Sequence, residues 1–321
     1  MLLKHDLWRV TTDKTSWHFI INPGARRGKA AERWKKIMPK LRAALPEMTV
    51  AQSNAGNSLA LLAETAVREG HTRLVGVGGD GTHHHIINGI VAAGKLDRVI
   101  YVPLPLGTGN DWVRTLKTPR NIDRWLEMLH QEKTMLHAVG KLRFTPQDGQ
   151  PADGLSLTAF FLNVAGMAYD AEVVRRSEKA RFRHRLIYPF LTLLYLRDFT
   201  APYVRIDYDG VSFTGPVHTI NFGIGRYSGG GMRLVPHADP ERETLALTFA
   251  RRLSTLKILL ESWRFYAGSI DQVKDVTTAH VKTVTVMPVT GTAELEADGE
   301  WLGVAPVEVS LLGDRLRVVV V

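Results

Sequence analysis

The sequence predicts an α/β domain with a parallel sheet flanked by helices, followed by an antiparallel β-sandwich domain. Three observations carry this reading. Up to about residue 130, short apolar runs alternate with stretches of helical periodicity, the pattern of a layered α/β unit. Beyond Met135 the periodicity changes to two, with turn pairs at Asp148-Gly149, Asp209-Gly210 and Asp298-Gly299. The chain has 321 residues, more than one hydrophobic core usually fills.

In order along the chain, strands are expected at Trp17 to Ile21, Met48 to Gln52, Leu74 to Val77 and Val99 to Val102. Between them Lys29 to Leu45 spaces Ala30, Trp34, Ile37, Leu41 and Leu45 as one face of a helix. Ser58 to Arg68 and Ile86 to Ala93 do the same. The second half supplies strands at Leu157 to Val164, Val204 to Tyr208, Val217 to Phe222 and Leu245 to Phe249. Arg143 to Ser156 reads as loop, because its prolines, glycine and aspartates interrupt any period. Arg315 to Val321 ends in a run of valines and reads as a buried last strand. The expected division is 1–135, 136–310 and a final strand, 311–321, returning to the first domain.

Composition narrows the chemistry. The absence of cysteine removes disulfides, thiolate metal sites and cysteine nucleophiles. Met1 to Trp8 carry charge where a signal peptide needs an apolar run, and no stretch reaches the ~18 apolar residues of a spanning helix, so a cytoplasmic protein is expected. A formal charge of +9 calls for an anionic partner: nucleic acid, an acidic membrane surface or a phosphorylated substrate.

Three glycine-rich turns follow predicted strands. Asn22-Pro23-Gly24 leads through Arg26, Arg27 and Gly28 into a helix, a place where free N–H groups can hold a phosphate or where glycine simply serves the turn. Gly76, Gly78, Gly79 and Gly81 put four glycines into six positions, more than a turn needs, which points to a phosphate close to the main chain. The same residues satisfy G-x-G-x-x-G through Gly76, Gly78 and Gly81, which also admits a dinucleotide. Asp80 among them would repel a bare pyrophosphate unless Mg²⁺ lay between. The third turn, Gly107-Thr108-Gly109-Asn110-Asp111, can offer Asn110 and Asp111 to a ribose, a water or a metal, or use them as a helix cap, with Arg114 one helical turn on. A Walker A sequence is absent.

The set NPGARRGK, GGDGT and PLGTGNDWVR, in this order and spacing, resembles the bacterial diacylglycerol kinase and sphingosine kinase family, which is related to the NAD kinases. The likeness continues through Phe161 to Ala171, Gly229-Gly230-Gly231 with Pro236-His237-Ala238, and Asp298-Gly299-Glu300. It implies ATP and Mg²⁺ as cofactors, a lipid acceptor such as diacylglycerol, and an active site in the cleft between the two domains. By the same resemblance Gly78, Gly79, Asp80, Gly81 and Thr82 hold phosphates. Asn22, Pro23, Gly107, Thr108, Gly109, Asn110, Asp111 and Arg114 line the nucleotide site, and Glu300 is the general base with Asp80 beside it. Phosphoryl transfer to an alcohol wants such a carboxylate near the hydroxyl.

Three positions depart from the family pattern. After GGDGT most relatives place a glutamate where this chain runs His83-His84-His85, which as consecutive helical residues diverge by about 100° and cannot share one ion. Ala138 stands where relatives carry an aspartate that supports Mg²⁺, and Glu241-Arg242-Glu243 replaces an expected acidic pair and glycine. A catalytically impaired nucleotide- or lipid-binding homologue is therefore one alternative, and an NAD kinase-like phosphotransferase another. Arg175, Arg176, Lys179, Arg181, Arg183 and Arg185 precede an apolar run from Leu186 to Leu196, which fits either a core helix with a solvated flank or a peripheral contact with anionic lipid. No nucleic-acid motif accompanies these arginines.

Overall fold

The computed structural model describes residues 14–25, 28–146, 157–179, 195–196 and 198–321, the side chains of 178 and 179 excepted. Its first half runs β1 (His18–Ile21), α1 (Lys29–Ala44), β2 (Thr49–Gln52), α2 (Leu59–Arg68), β3 (Arg73–Gly78), α3 (Asp80–Ala92), β4 (Ile100–Pro105), α4 (Asp111–Thr115), α5 (Ile122–Gln131) and β5 (Thr134–His137). The second half runs β6 (Gly140–Thr145), β7 (Leu157–Phe161), β8 (Val164–Ala168), α6 (Tyr169–Lys179), β9 (Tyr203–Tyr208), β10 (Val211–Gly223) and β11 (Leu245–Arg251). It continues with α7 (Thr255–Glu261), α8 (Trp263–Ala267), β12 (Val276–Val281), β13 (Thr283–Thr290), β14 (Glu294–Ala297), β15 (Glu300–Leu311) and β16 (Leu316–Val319).

The first sheet has the order β2-β1-β3-β4-β16-β5. Strands β1 to β4 are mutually parallel, and β16 lies parallel to β4 and antiparallel to β5. Both faces are covered, so its inner strands β1, β3 and β4 are apolar along nearly their whole length. Phe19, Ile21, Val75, Val77 and Val102 pack under Trp34 and Trp125 on one face, and Ile20, Leu74 and Tyr101 pack with Ile86 and Ile90 on the other. The carboxyl ends of β1, β3 and β4 therefore deliver Asn22, the turn after Gly78 and the turn after Pro105 to one edge, where ligands of such sheets bind.

The second sheet is antiparallel, and β9 pairs with both β10 and β13, which closes β10, β8, β14, β15, β13 and β9 into a ring. Leu142, Phe161, Met167, Ile206, Phe222, Phe249, Leu295 and Val307 fill it. The hairpins at Asp209-Gly210 and Asp298-Gly299 have positive φ at both turn residues, 41° and 84° in the first and 53° and 85° in the second, as two-residue hairpins require.

Three sequence expectations change. Helix α3 starts at Asp80 rather than Ile86, because Thr82 Oγ1 accepts from the Gly79 N–H (3.4 Å) and ties down its first turn. The single strand expected from Leu157 to Val164 is two, β7 and β8, broken where Asp298 takes the N–H groups of Leu162 and Asn163. Arg143, Phe144 and Thr145 belong to β6. The remainder of the expected loop from residue 147, the Asp148-Gly149 turn, residues 1–13, Arg26, Arg27 and the apolar run up to residue 194 lie outside the described residues, with Arg181, Arg183 and Arg185 among them.

Candidate active site

The two glycine turns are bonded to each other. The Gly78 carbonyl accepts the N–H groups of both Leu106 (2.8 Å) and Gly107 (2.7 Å). A Cβ on Gly107 would lie 2.2 Å from the Gly79 Cα, and one on Gly78 would lie 2.2 Å from Thr82 Oγ1. Glycine is set at 107 by main chain pressed on main chain and at 78 by the Thr82 side chain. Gly76 serves a different need: a Cβ there would come within 1.8 Å of the Tyr101 hydroxyl, which shares a 2.8 Å hydrogen bond with His83 Nδ1. The first glycine of the apparent dinucleotide fingerprint thus makes room for a buried side chain.

Asn22 joins the same edge, donating from Nδ2 to Thr82 Oγ1 (3.3 Å) and from its main chain to the Val77 carbonyl (3.2 Å). Pro23 lies in the half-buried turn that follows, and Gly28 caps α1 with φ of 86°. Thr108 is exposed at the tip of the second turn, and Gly109 passes close to Asp80, where a Cβ would meet Oδ2 at 3.0 Å.

Asp80 reaches across to α4. Its Oδ2 accepts the Asp111 N–H (3.2 Å) and its Oδ1 the Trp112 N–H (3.1 Å), the service an N-cap normally provides. Asn110 holds the cap position with φ of 55°, yet its side chain donates to the Gly107 carbonyl (2.9 Å) instead. Its Oδ1 is buried with no protein donor, an acceptor that a ligand hydroxyl, amino group or water would satisfy. Burial, reinforced by the charge of Asp111, pushes the Asp80 carboxyl up to about 7, against the pull of the two N–H donors. An unfolded chain ionises this group near 4. Between those values the folded protein keeps a proton that the unfolded chain has released, so this group's contribution to stability falls as pH rises from about 4 to about 7. Asp80→Asn is expected to remove that dependence. The melting temperature of wild type minus that of the variant should decline steadily across the window, and a pH-independent difference would contradict the assignment.

From the second sheet, the turn Gly229-Gly230-Gly231, with φ of 61°, 88° and 115°, closes on α4. Gly230 donates its N–H to Asp111 Oδ2 (2.6 Å), and Arg114, 3.6 Å from Asp111, lies over Tyr227 with 5.5 Å between guanidinium carbon and ring centre. The hairpin at Asp298-Gly299 arrives from the other side and brings Glu300 onto the first turn of α3. A Cβ on Gly81 would lie 2.0 Å from Glu300 Oε1.

Asp298 anchors that hairpin. Its carboxylate accepts from Leu162 N (3.0 Å), Asn163 N (2.9 Å) and His84 Nδ1 (3.2 Å), linking β7, β8, α3 and the turn. The sequence marked Asp298 as a turn residue and part of the Asp298-Gly299-Glu300 match, but not as an anchor, since its partners lie far off in the chain. Asp298→Ala strands two buried N–H groups, each worth about 1–3 kcal/mol, so a loss of roughly 2–6 kcal/mol is expected in denaturant unfolding. A loss below about 1 kcal/mol would contradict this role.

The three histidines diverge. His83 is buried against Tyr101, and burial lowers its pKa to about 3; His84 faces Asp298; His85 is exposed. Ala138 is buried in the second core with its N–H on the Pro240 carbonyl (2.8 Å), and Arg242 is exposed 4.0 Å from Asp239. None of the three departing positions brings a carboxylate to the turns. Among the described residues no three His, Asp or Glu side chains form a set able to hold a metal ion, so the donors present do not fit a protein-built Mg²⁺ cage.

Residues 16–142 match the diacylglycerol kinase catalytic domain, and residues 163–320 match the YegS C-terminal NAD kinase beta sandwich-like domain. The chain belongs to the diacylglycerol kinase-like family. It is 24% identical to a diacylglycerol kinase of Mycobacterium tuberculosis over 99% of this chain and 96% of that one, and 24% identical to a diacylglycerol kinase of Bacillus subtilis over 94% of each. A crystal structure of a diacylglycerol kinase from Bacillus anthracis superposes with a TM-score of 0.69 at 20% identity, covering 95% of this chain and 97% of that one. Yeast NADH kinase in complex with NADH shares the fold at a TM-score of 0.57 and 12% identity, over 96% of this chain and 84% of that one. Membership in this family supports a kinase activity.

Proposed function

We propose that this kinase transfers the γ-phosphoryl group of ATP to a hydroxyl of diacylglycerol or a related lipid. Glu300 takes the hydroxyl proton, the freed oxygen bonds to the γ-phosphorus, and the bond from that phosphorus to the β-bridging oxygen breaks to release ADP. The observation that carries this is the seat of the Glu300 carboxylate over Gly81, at the N-terminus of α3 and beside the phosphate-sized turn. N–H groups at that helix end and in the Gly78 to Thr82 turn favour an anion, and the open acceptor of Asn110 suits a hydroxyl or amino group of the nucleotide. Thr82, Asn22 and Asp80 hold the turns in register, while Asp111 and Arg114 tie α4 to the second sheet.

The relatives named as diacylglycerol kinases favour a lipid acceptor, and the positive charge of the chain favours peripheral work at an anionic membrane from the cytoplasmic side. Among the described residues no helix is long and apolar enough to cross a membrane. We assign the nucleotide domain to 1–135 and the lipid domain to 136–310, with 311–321 returning to the first. Offering diacylglycerol and NAD side by side tests the acceptor. Phosphatidic acid as the product supports the proposal, and NADP as the sole product overturns it.

A further inference from the structure

Helices α7 and α8 carry their apolar residues outward. Leu256 and Leu260 are 66% and 67% exposed and Trp263 is 57% exposed, with Leu259 and Tyr266 exposed beside them. Positions 256, 259 and 260 are i, i+3 and i+4 on one face of α7, and Trp263 opens α8 directly after it. The opposite face holds Ile258, which is buried with Tyr169, Val173 and Leu196. The ends are fixed as well: Ser254 Oγ accepts the Lys257 N–H (3.3 Å), and Gly268 closes α8 with φ of 76°. The element is thus held rigidly with its leucines in water, an arrangement that a soluble surface disfavours unless something covers it.

The flanking charge says what. Arg251, Arg252, Lys257, Arg264 and Lys274 outnumber Glu261, Asp271 and Asp275 in this stretch. Lys257 is paired with Asp275 and Arg264 with Glu261, while the Arg264 guanidinium also lies 4.6 Å from the Trp263 ring centre, so a cation and an indole share one edge. An apolar stripe flanked by an excess of basic residues and carrying a tryptophan and a tyrosine matches the boundary between phosphate headgroups and acyl chains. A second copy would set this positive face against itself.

The geometry points to the α7–α8 face as a docking surface for an anionic phospholipid bilayer. Its purpose rests on the lipid-acceptor reading above, and its position suits that reading. Ile258 packs on Tyr169 and Val173 of α6, and α6 packs on β14, the strand that leads into the Asp298-Gly299 hairpin and Glu300. A bilayer held at α7 would lie one helix away from the β14–β15 hairpin that carries the proposed base.

The test sediments the purified full chain with vesicles of phosphatidylcholine, with or without phosphatidylglycerol. Wild type is expected to bind the anionic vesicles and to release with salt. Leu256→Glu with Leu260→Glu should lower the partition constant by roughly tenfold or more, and Trp263→Ala by a smaller factor, with melting temperatures unchanged because these side chains are exposed. Wild type that ignores anionic vesicles, or variants that bind as wild type does, would overturn the inference. So would a wild-type dimer that the double variant splits with vesicle binding intact, since a second copy would then be the occupant. Phosphoryl transfer to a short-chain diacylglycerol below its aggregation concentration separates the two ideas. Transfer equal in wild type and double variant supports docking as distinct from catalysis. Vesicle binding without any transfer in wild type sinks the catalytic reading and leaves the docking surface standing.

Discussion

Glu300→Gln is expected to lower turnover on a lipid hydroxyl by about 10²–10⁴-fold while changing ATP affinity less than about twofold. The amide keeps the shape of the side chain over Gly81 but cannot take a proton from the acceptor. The proposed partners of the nucleotide, the Gly78 to Thr82 turn and Asn110, are untouched, so the loss should fall on kcat. This separates base catalysis from the impaired-homologue alternative. A protein that only binds nucleotide would show no change in either quantity, and an unaltered kcat with measurable transfer would remove Glu300 from the reaction.

Gly107→Ala should act on the other side of that division. The new methyl group would sit 2.2 Å from the Gly79 Cα, and neither main chain can move aside without breaking the bonds that Leu106 and Gly107 donate to the Gly78 carbonyl. Overpacking of this kind costs about 1–3 kcal/mol of stability. It also parts the two turns proposed to hold phosphate, so ATP affinity is expected to fall at least about tenfold. A variant with normal nucleotide affinity would show that the two turns do not act as one site.

The parallel sheet was legible because its strands are apolar on both faces and its turns are crowded with glycine, signals that need no partner to read. The resemblance gave the family, and the pairing of β9 with both β10 and β13 then refined the expected sandwich into a closed ring. What stayed hidden depends on residues distant in sequence. Asp80 was read among the phosphate-facing glycines, and its oxygens also cap α4. Asp298 was read as a turn, whereas it also organises β7, β8 and His84. Gly76 was read with the phosphate glycines, although it accommodates Tyr101 and His83. A spacing rule registers glycine density but cannot say which glycine faces a ligand and which faces a neighbouring ring.

Full-length protein incubated with γ-labelled ATP and a total bacterial lipid extract tests the central claim most directly, with the lipids then separated and counted. Label is expected in a lipid phosphate, phosphatidic acid first among them, and its appearance should depend on Glu300. Tight ATP binding with no label in any lipid would contradict the account.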